Sequence, residues 1–174
     1  MAAVIGRDWE RIAGLWMAMI RGKDHLKKLA ALPDERLLAV SRKVYPLVAK
    51  WLLAESTKDE VGTFFVAWGK SMYHDRFPLS EASYALYLAK NALWEHLEAQ
   101  GTEASSLDLY LEVEAMRRLF DFFFSASFYL IKGYLEDLYV ELEKTHGVPA
   151  EALKECFQED FFFKSSAFPA SYFG

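Results

Sequence analysis

The sequence predicts an all-α protein. Apolar residues recur at steps of three and four along nearly the whole chain, which is the spacing of one face of a helix. No stretch alternates polar and apolar residues for long enough to read as a half-buried strand. Fourteen Phe, nine Tyr and five Trp in 174 residues supply apolar mass for one interior. We therefore expect a single helical domain with a large aromatic core.

Three helices are predicted before residue 53. The first spans about Asp8 to Arg21, where an apolar stripe recurs at helical spacing, and a short basic helix follows over 24–32. The third restarts after Pro33. Pro46 lies inside it and lacks the amide hydrogen that the helix needs, which predicts a kink or a break near Tyr45.

Two further helices are predicted between residues 57 and 100. Thr57 and Glu60 have the spacing of a capping box, and the helix that they start should end near His74. Ser80 is the predicted N-cap of the next helix, which reaches Gln100. Because these two helices meet at a short turn, the sequence also predicts that they pack on each other.

One periodic pattern then continues over residues 106–145 and predicts a long C-terminal helix. Unbroken, it would measure about 60 Å at 1.5 Å per residue, which exceeds the width of a compact domain of this size. We expect it to bend at Ser125 to Ser127 or at Gly133, or to project at its end. Along its first half, Leu119, Phe120, Phe123 and Ser127 are interpreted as one core-facing stripe.

The domain is expected to comprise residues 1–147. Residues 148–174 are expected to form a short helix over 150–160 and an aromatic tail, packed on the same domain or on a partner. No apolar region of a signal peptide precedes Arg7, which predicts a cytoplasmic protein. The longest uncharged run in the most apolar zone, 122–131, is about half of what spans a bilayer, so no membrane insertion is expected.

Catalytic chemistry is not predicted. No Ser-His-Asp or Cys-His constellation has a supporting local signature, no phosphate-binding glycine loop is present, and no nucleic-acid motif accompanies the basic N-terminal third. Glu136 and Asp137 are neighbours that point to different sides of a helix, so they are interpreted as solvated. Gly69 and Gly133 are interpreted as positions where helices pack closely. The lone Cys156 cannot form an internal disulfide or a metal site.

Aromatic side chains at helical spacing are the candidates for lining an internal pocket, with plain core packing as the alternative. The set comprises Trp51, Phe64, Phe65, Trp68, Phe77, Tyr84, Tyr87, Trp94, Phe120 and Phe123. A haem-binding protein is the sharper alternative, because an aromatic helical pocket with a proximal histidine holds haem in globins. His96 or His74 would be the ligand in that case. Otherwise no metal and no cofactor is expected.

Two segments over residues 38–97 carry a family likeness, SRKVYPLVAKWLLAESTKDEVGTFFVAWGKSMY and RFPLSEASYALYLAKNALWEHL. They resemble the RsbR-type N-terminal sensor domain of bacterial stress-signalling and histidine-kinase proteins. The resemblance implies a globin-like helical bundle without haem, usually dimeric, whose last long helix leads to a transmitter. Nothing after Gly147 is long enough to be a transmitter, so we expect a free-standing sensor or adaptor.

The sequence thus predicts a non-enzymatic, cytoplasmic signalling module that forms a homodimer through its long helices and acts through a signalling protein. It possesses an aromatic core that could sense a small apolar ligand. The alternatives are a haem-binding globin-like protein and a structural interaction protein without a ligand.

Overall fold

The computed structural model describes residues 1–100 and 106–157, with side chains in the second range from Val113 to Cys156. Eight helices lie in this part of the chain, and none of its residues forms a strand, which confirms the all-α prediction. They are α1 (Ala2–Arg7), α2 (Trp9–Arg21), α3 (Lys27–Ala30), α4 (Asp34–Leu52), α5 (Lys58–His74), α6 (Leu79–Ala99), α7 (Ser106–His146) and α8 (Ala150–Phe157). The expected end of the last helix at residue 160 and the aromatic tail lie outside the described residues.

The bundle is a globin-like arrangement built around α7. Helix α5 packs along α7, α6 packs on both α7 and α2, and α4 lies between α2 and α1. Helices α5 and α6 contact each other as predicted, but the α5–α7 contact is far more extensive. None of the helices in the described ranges combines the length and the apolar character needed to cross a bilayer.

Two glycines bring the backbones of α5 and α7 together. A Cβ atom on Gly69 would stand 2.0 Å from the carbonyl oxygen of Leu130, and one on Gly133 would stand 2.1 Å from the carbonyl oxygen of Val66. Any larger side chain at either position would therefore force the two helices apart. The interpretation of both glycines as close-packing positions is confirmed.

Helix ends follow the local sequence in part. The hydroxyl of Thr57 accepts a hydrogen bond from the amide of Glu60 at 3.1 Å, which confirms the predicted start of α5. Ser80 is not a cap, because α6 already begins at Leu79 after Pro78, whose φ of −58° suits a helix start. The predicted break at Pro46 is also absent, since α4 continues from Asp34 to Leu52.

A residue with positive φ that is not glycine lies two residues after the end of each of α4 and α5: Ala54 at 58° and Arg76 at 60°. After each, the next amide bonds back across the last turn, from Glu55 to the carbonyl of Lys50 at 2.8 Å and from Phe77 to that of Met72 at 2.9 Å. This hydrogen-bond pattern is common at helix C-termini, where the residue with positive φ is usually glycine. The chain turns there at a conformational cost that glycine would avoid.

Candidate interaction surface

Half of the predicted pocket residues form one interior cluster between α4, α5 and α7. Phe65 and Phe123 are buried, whereas Phe64, Trp68 and Trp51 are half-buried at its edge. The Phe65 ring lies 5.8 Å from both Trp68 and Phe122, a residue that was not predicted, and the Trp51 ring lies 6.0 Å from Phe122. These centroid distances are those of packed aromatic pairs.

Two tryptophans of the interior donate their indole N–H groups to backbone carbonyls of the protein. The indole N–H of Trp16 donates to the carbonyl of Ala85 at 2.9 Å, and that of Trp51 donates to the carbonyl of Arg118 at 2.9 Å. The gap beside Trp68 has no room for a water molecule; it is lined by Trp16, Val40, Ser41, Val44, Tyr45, Trp68 and Ala89. At this place the interior is filled by the protein's own side chains.

The remaining predicted pocket residues lie elsewhere. Tyr87, Trp94 and Phe120 are exposed by 48%, 37% and 43%, on the outer side of α6 and α7. Tyr84 stacks beside Tyr87 at 5.1 Å. Phe77 is buried at the α5–α6 connection, where its carbonyl accepts a hydrogen bond from Tyr134 at 2.7 Å. The structure therefore divides the predicted set between an interior cluster, a surface and a turn.

The two histidines occupy separate polar sites. His96 is only 3% exposed, and its Nε2 lies 3.0 Å from Asp8 at the α1–α2 junction. A hydrogen bond from Arg7, assisted by His96, holds the pKa of Asp8 well below its usual range. His74 lies at the surface with its Nε2 2.8 Å from Asp137. Across the described residues, no group of three or more His, Cys, Asp or Glu could hold a metal ion.

A polar network joins the C-terminal half of α7 to α5. Lys70 lies 2.9 Å from Glu136 and 3.6 Å from Asp137, and the Tyr73 hydroxyl donates to Glu141. Burial alone would lower the pKa of Lys70, but the ion pairs with Glu136 and Asp137 together outweigh burial and raise it. The interpretation of Glu136 as solvated is wrong, because it is buried against α5. It is the local neutralisation by Lys70 that permits this burial.

Helix α7 carries a second apolar side that the core does not cover. We call it the bare stripe, and it consists of Val113, Phe120, Phe124 and Phe128, exposed by 60%, 43%, 74% and 48%. Steps of seven, four and four place these residues on one face of the helix. The interpretation of Phe120 as core-facing is wrong, since that face is formed by Leu119, Phe122, Phe123, Ala126, Tyr129 and Leu130.

Charged residues border the bare stripe, and Arg117 lies on the same helix face, four residues after Val113 and three before Phe120. Arg117 lies 2.8 Å from Glu114 and 3.3 Å from Asp121 on the same helix, and Arg118 lies 3.2 Å from Glu114. Hydrogen bonds from Arg117 and then Arg118 lower the pKa of Glu114 to about 2. These charges pair with one another, so the stripe between them faces outward as an apolar surface of the kind that marks interaction sites.

Helix α8 covers the continuation of this side of α7. Gly147, with φ of 64°, reverses the chain after α7. Leu153 of α8 is buried against Tyr139 in a small second core; Leu135, Leu142 and Val148 pack around it. The exposed part of the apolar side is thus confined to the N-terminal half of α7 and the adjoining face of α6.

A groove lies beside the bare stripe, between α6 and α7. We call it the α6–α7 groove; its volume is about 210 Å³, and it is lined by Lys90, Asn91, Trp94, Met116, Leu119 and Phe120. The ammonium of Lys90 lies 5.1 Å from the ring centre of Tyr87 and 5.6 Å from that of Phe120. A larger, open groove of about 550 Å³ lies between α4 and α5, with Phe64 in its wall.

The structure is an all-α helical domain with one uncovered apolar surface on α7. The sequence model of one family, the RsbT co-antagonist protein RsbRD N-terminal domain, matches residues 10–138, from α2 into α7. The match covers well over half of the chain, so the chain belongs to this family of stress-signalling domains, which is not a known enzyme family. Comparisons with curated proteins and with solved structures give no match.

Sequence reasoning missed Phe124, Phe128 and Val113. Their signal was present, because apolar residues of α7 fall on two faces of the helix rather than on one.

Proposed function

We propose that the chain is a bacterial, cytoplasmic stress-signalling module of the non-haem globin type that works as a homodimer and acts through a protein partner. Residues 1–147 form the signalling unit in this proposal, and the following helix is a cap on α7. The observation that supports it most directly is the bare stripe on α7. Contiguous exposed aromatic surface of this kind is uncommon on a monomer and typical of an interface.

Substitution of the most exposed stripe residue tests dimerisation. Phe124→Asp places a charge in the interface and should shift the protein to a monomer in sedimentation equilibrium at micromolar concentration, with the helical circular dichroism unchanged. Val140→Asp is the matched control, because Val140 is 43% exposed on the same helix, about 24 Å along α7 from Phe124. A wild-type monomer would contradict the proposal, as would a dimer that survives Phe124→Asp.

The partner is proposed to be a stress-signalling protein of the RsbT switch, as the description of the family suggests. Co-elution of the purified chain with RsbT on a sizing column tests this directly. Phe124→Asp and Val140→Asp then show whether binding requires the dimer. Separate elution of the two proteins at concentrations of tens of micromolar would contradict the proposed partner.

Absence of haem is part of the proposal. The Nε2 atoms of His96 and His74 are each engaged by a carboxylate, on different helices, which supports a non-haem protein. An absorbance scan after addition and removal of haem tests it. A Soret band that persists through dialysis and is lost in His96→Ala or His74→Ala would contradict it.

A small apolar ligand is proposed to enter the open groove between α4 and α5. Its volume of about 550 Å³ falls within the range of small-molecule sites, and its wall combines apolar and charged residues: Lys43, Pro46, Leu47, Lys50, Asp59, Glu60, Thr63 and Phe64. The apolar dye anilinonaphthalene sulfonate is a probe for the apolar part of that wall.

The groove is tested by filling it. Thr63 is an exposed residue in the groove wall, and Thr63→Trp should abolish saturable fluorescence of the dye, whereas Thr63→Ser should retain it. Both variants are made in a Phe124→Asp background so that the bare stripe does not bind the dye. Equal dye binding by the Trp and Ser variants would contradict this site.

A further inference from the structure

Phe124 is the most exposed of the large apolar side chains that the structure describes, at 74%. It lies one helical turn, about 6 Å along α7, from Phe120 in the wall of the α6–α7 groove. A protruding ring and an apolar depression therefore lie side by side on the same surface.

The α6–α7 groove suits a side chain better than a free molecule. Its volume of about 210 Å³ is below the roughly 300–1,000 Å³ typical of small-molecule sites. Leu119, Met116 and the rings of Trp94 and Phe120 form apolar walls, and Lys90 is held at the edge over the rings of Tyr87 and Phe120. Such walls favour an aromatic ring, which can pack against the rings and beside the Lys90 ammonium.

A two-fold dimer requires one patch to be complementary to itself, so a knob and a hole must both lie on it. We propose that Phe124 of each copy fills the α6–α7 groove of the other copy, so that each groove is complete only in the dimer. This inference rests on the homodimer proposed above and specifies its register.

The register also accounts for the rest of the stripe. When Phe124 lies opposite the second copy's Phe120, the α7 helices run antiparallel or cross steeply near residue 122. The same register places Phe128 opposite Met116 and Val113 opposite Ile131, so these apolar residues meet apolar residues, and it places Arg117 opposite Ser127. Helix α8 covers α7 from Leu135 onward, which confines the contact to a region centred close to this crossing point.

Disulfide trapping tests the register. The single native cysteine, Cys156, is first replaced by serine. Phe120→Cys and Phe124→Cys chains, distinguished by a tag, are then mixed and oxidised mildly. We expect the mixed pair to crosslink at least about tenfold faster than either chain alone, because a disulfide needs Cα atoms about 4.4–6.8 Å apart. Faster crosslinking of Phe124→Cys with itself would show a parallel register and overturn the inference.

Filling the groove provides an independent test that needs no cysteine. Asn91→Trp should plug the groove and weaken dimerisation at least about tenfold, as expected for loss of a central interface anchor. Asn91→Ala leaves the groove open and should change the dimer dissociation constant less than about twofold. An unchanged dimer in Asn91→Trp, with native circular dichroism, would overturn the groove while leaving the dimer intact. A wild-type monomer would instead remove the proposed function on which the inference rests.

A protein partner on this surface is the remaining outcome. If Phe124→Asp and Asn91→Trp abolish co-elution with RsbT while sedimentation shows an unchanged dimer, the groove receives a residue of that partner and the inference is wrong.

Discussion

Gly69→Ala and Gly133→Ala measure how strongly the backbone contact between α5 and α7 is required. A Cβ atom on Gly69 would stand 2.0 Å from the Leu130 carbonyl oxygen, whereas ordinary contact begins at 3.4 Å, so the helices must separate by the difference, 1.4 Å. The opposing atoms belong to a helix backbone and cannot move aside by changing a rotamer. Neighbouring side chains along the crossing would lose contact as the helices part.

The expected free-energy change follows from two opposing terms. Overpacking a well-packed interior costs about 1–3 kcal/mol, and a backbone clash belongs at the upper end. Replacing a glycine by alanine inside a helix returns about 1 kcal/mol. We therefore expect each variant to lower the free energy of unfolding by about 2 kcal/mol, which corresponds to about 4–8 °C in the melting temperature for a chain of this size.

Urea unfolding followed by far-UV circular dichroism measures this change, and Gly14→Ala is the matched control. A Cβ on Gly14 meets nothing within 4 Å on the exposed side of α2, so that variant should be stabilised by about 0.5–1 kcal/mol. The double variant Gly69→Ala/Gly133→Ala should cost less than the sum of the two, because one separation relieves both clashes. If both single variants unfolded within about 0.5 kcal/mol of the wild type, the reasoning would be refuted.

Three further predictions concern helix ends and ion pairs. Ala54→Gly removes the strain of a positive φ and should raise the free energy of unfolding by about 0.5–1 kcal/mol in urea titration; a loss of stability would contradict it. Lys70→Met leaves the Glu136 carboxylate buried without this ion pair and should lower the free energy of unfolding by about 2–3 kcal/mol. Lys70→Met/Glu136→Met should recover most of that loss. Equal losses in the single and double variants would show that the two residues are not coupled. Hydrogen bonds from Tyr73 and Arg76 lower the pKa of Glu141. As the pH falls below about 4.3, the unfolded chain therefore binds more protons than the folded one, and the free energy of unfolding should decline. Glu141→Gln should flatten that decline, and an unchanged decline at acid pH would contradict the assignment.

Local signals in the sequence were sufficient for most helices. The side chain of Thr57, three residues before Glu60, indicated the start of α5, and the 3.6-residue apolar period indicated the length of α7. Pro46 does not break α4, because a proline costs one hydrogen bond and a local clash, which packing along the rest of α4 outweighs. Helix α1 was missed, since six residues after the N-terminal Met are too few to show a period.

Partner choice between helices was harder to predict. Adjacency in sequence favoured an α5–α6 pair, but Gly69 and Gly133 allow α5 to approach α7 more closely than large side chains would permit. The two glycines are 64 positions apart, and no local pattern links them. Periodicity also placed Phe120 on the core side of α7, although Phe120 is 43% exposed. An apolar period shows that a helix face is apolar, but it does not show which element covers that face.

The two halves of α7 are therefore suited to different roles. Its C-terminal half is fixed to α5 by the glycine crossing, by Lys70 with Glu136 and by Tyr73 with Glu141, and α8 covers its other side. A shift of this half would break the Lys70–Glu136 ion pair and a backbone contact together, at a cost of several kcal/mol. From Val113 onward, the N-terminal half carries the bare stripe beside its core face. In the proposed dimer, we expect a change at the stripe to move α5 and α7 as one unit, and Gly69→Ala should weaken that coupling before it weakens the dimer.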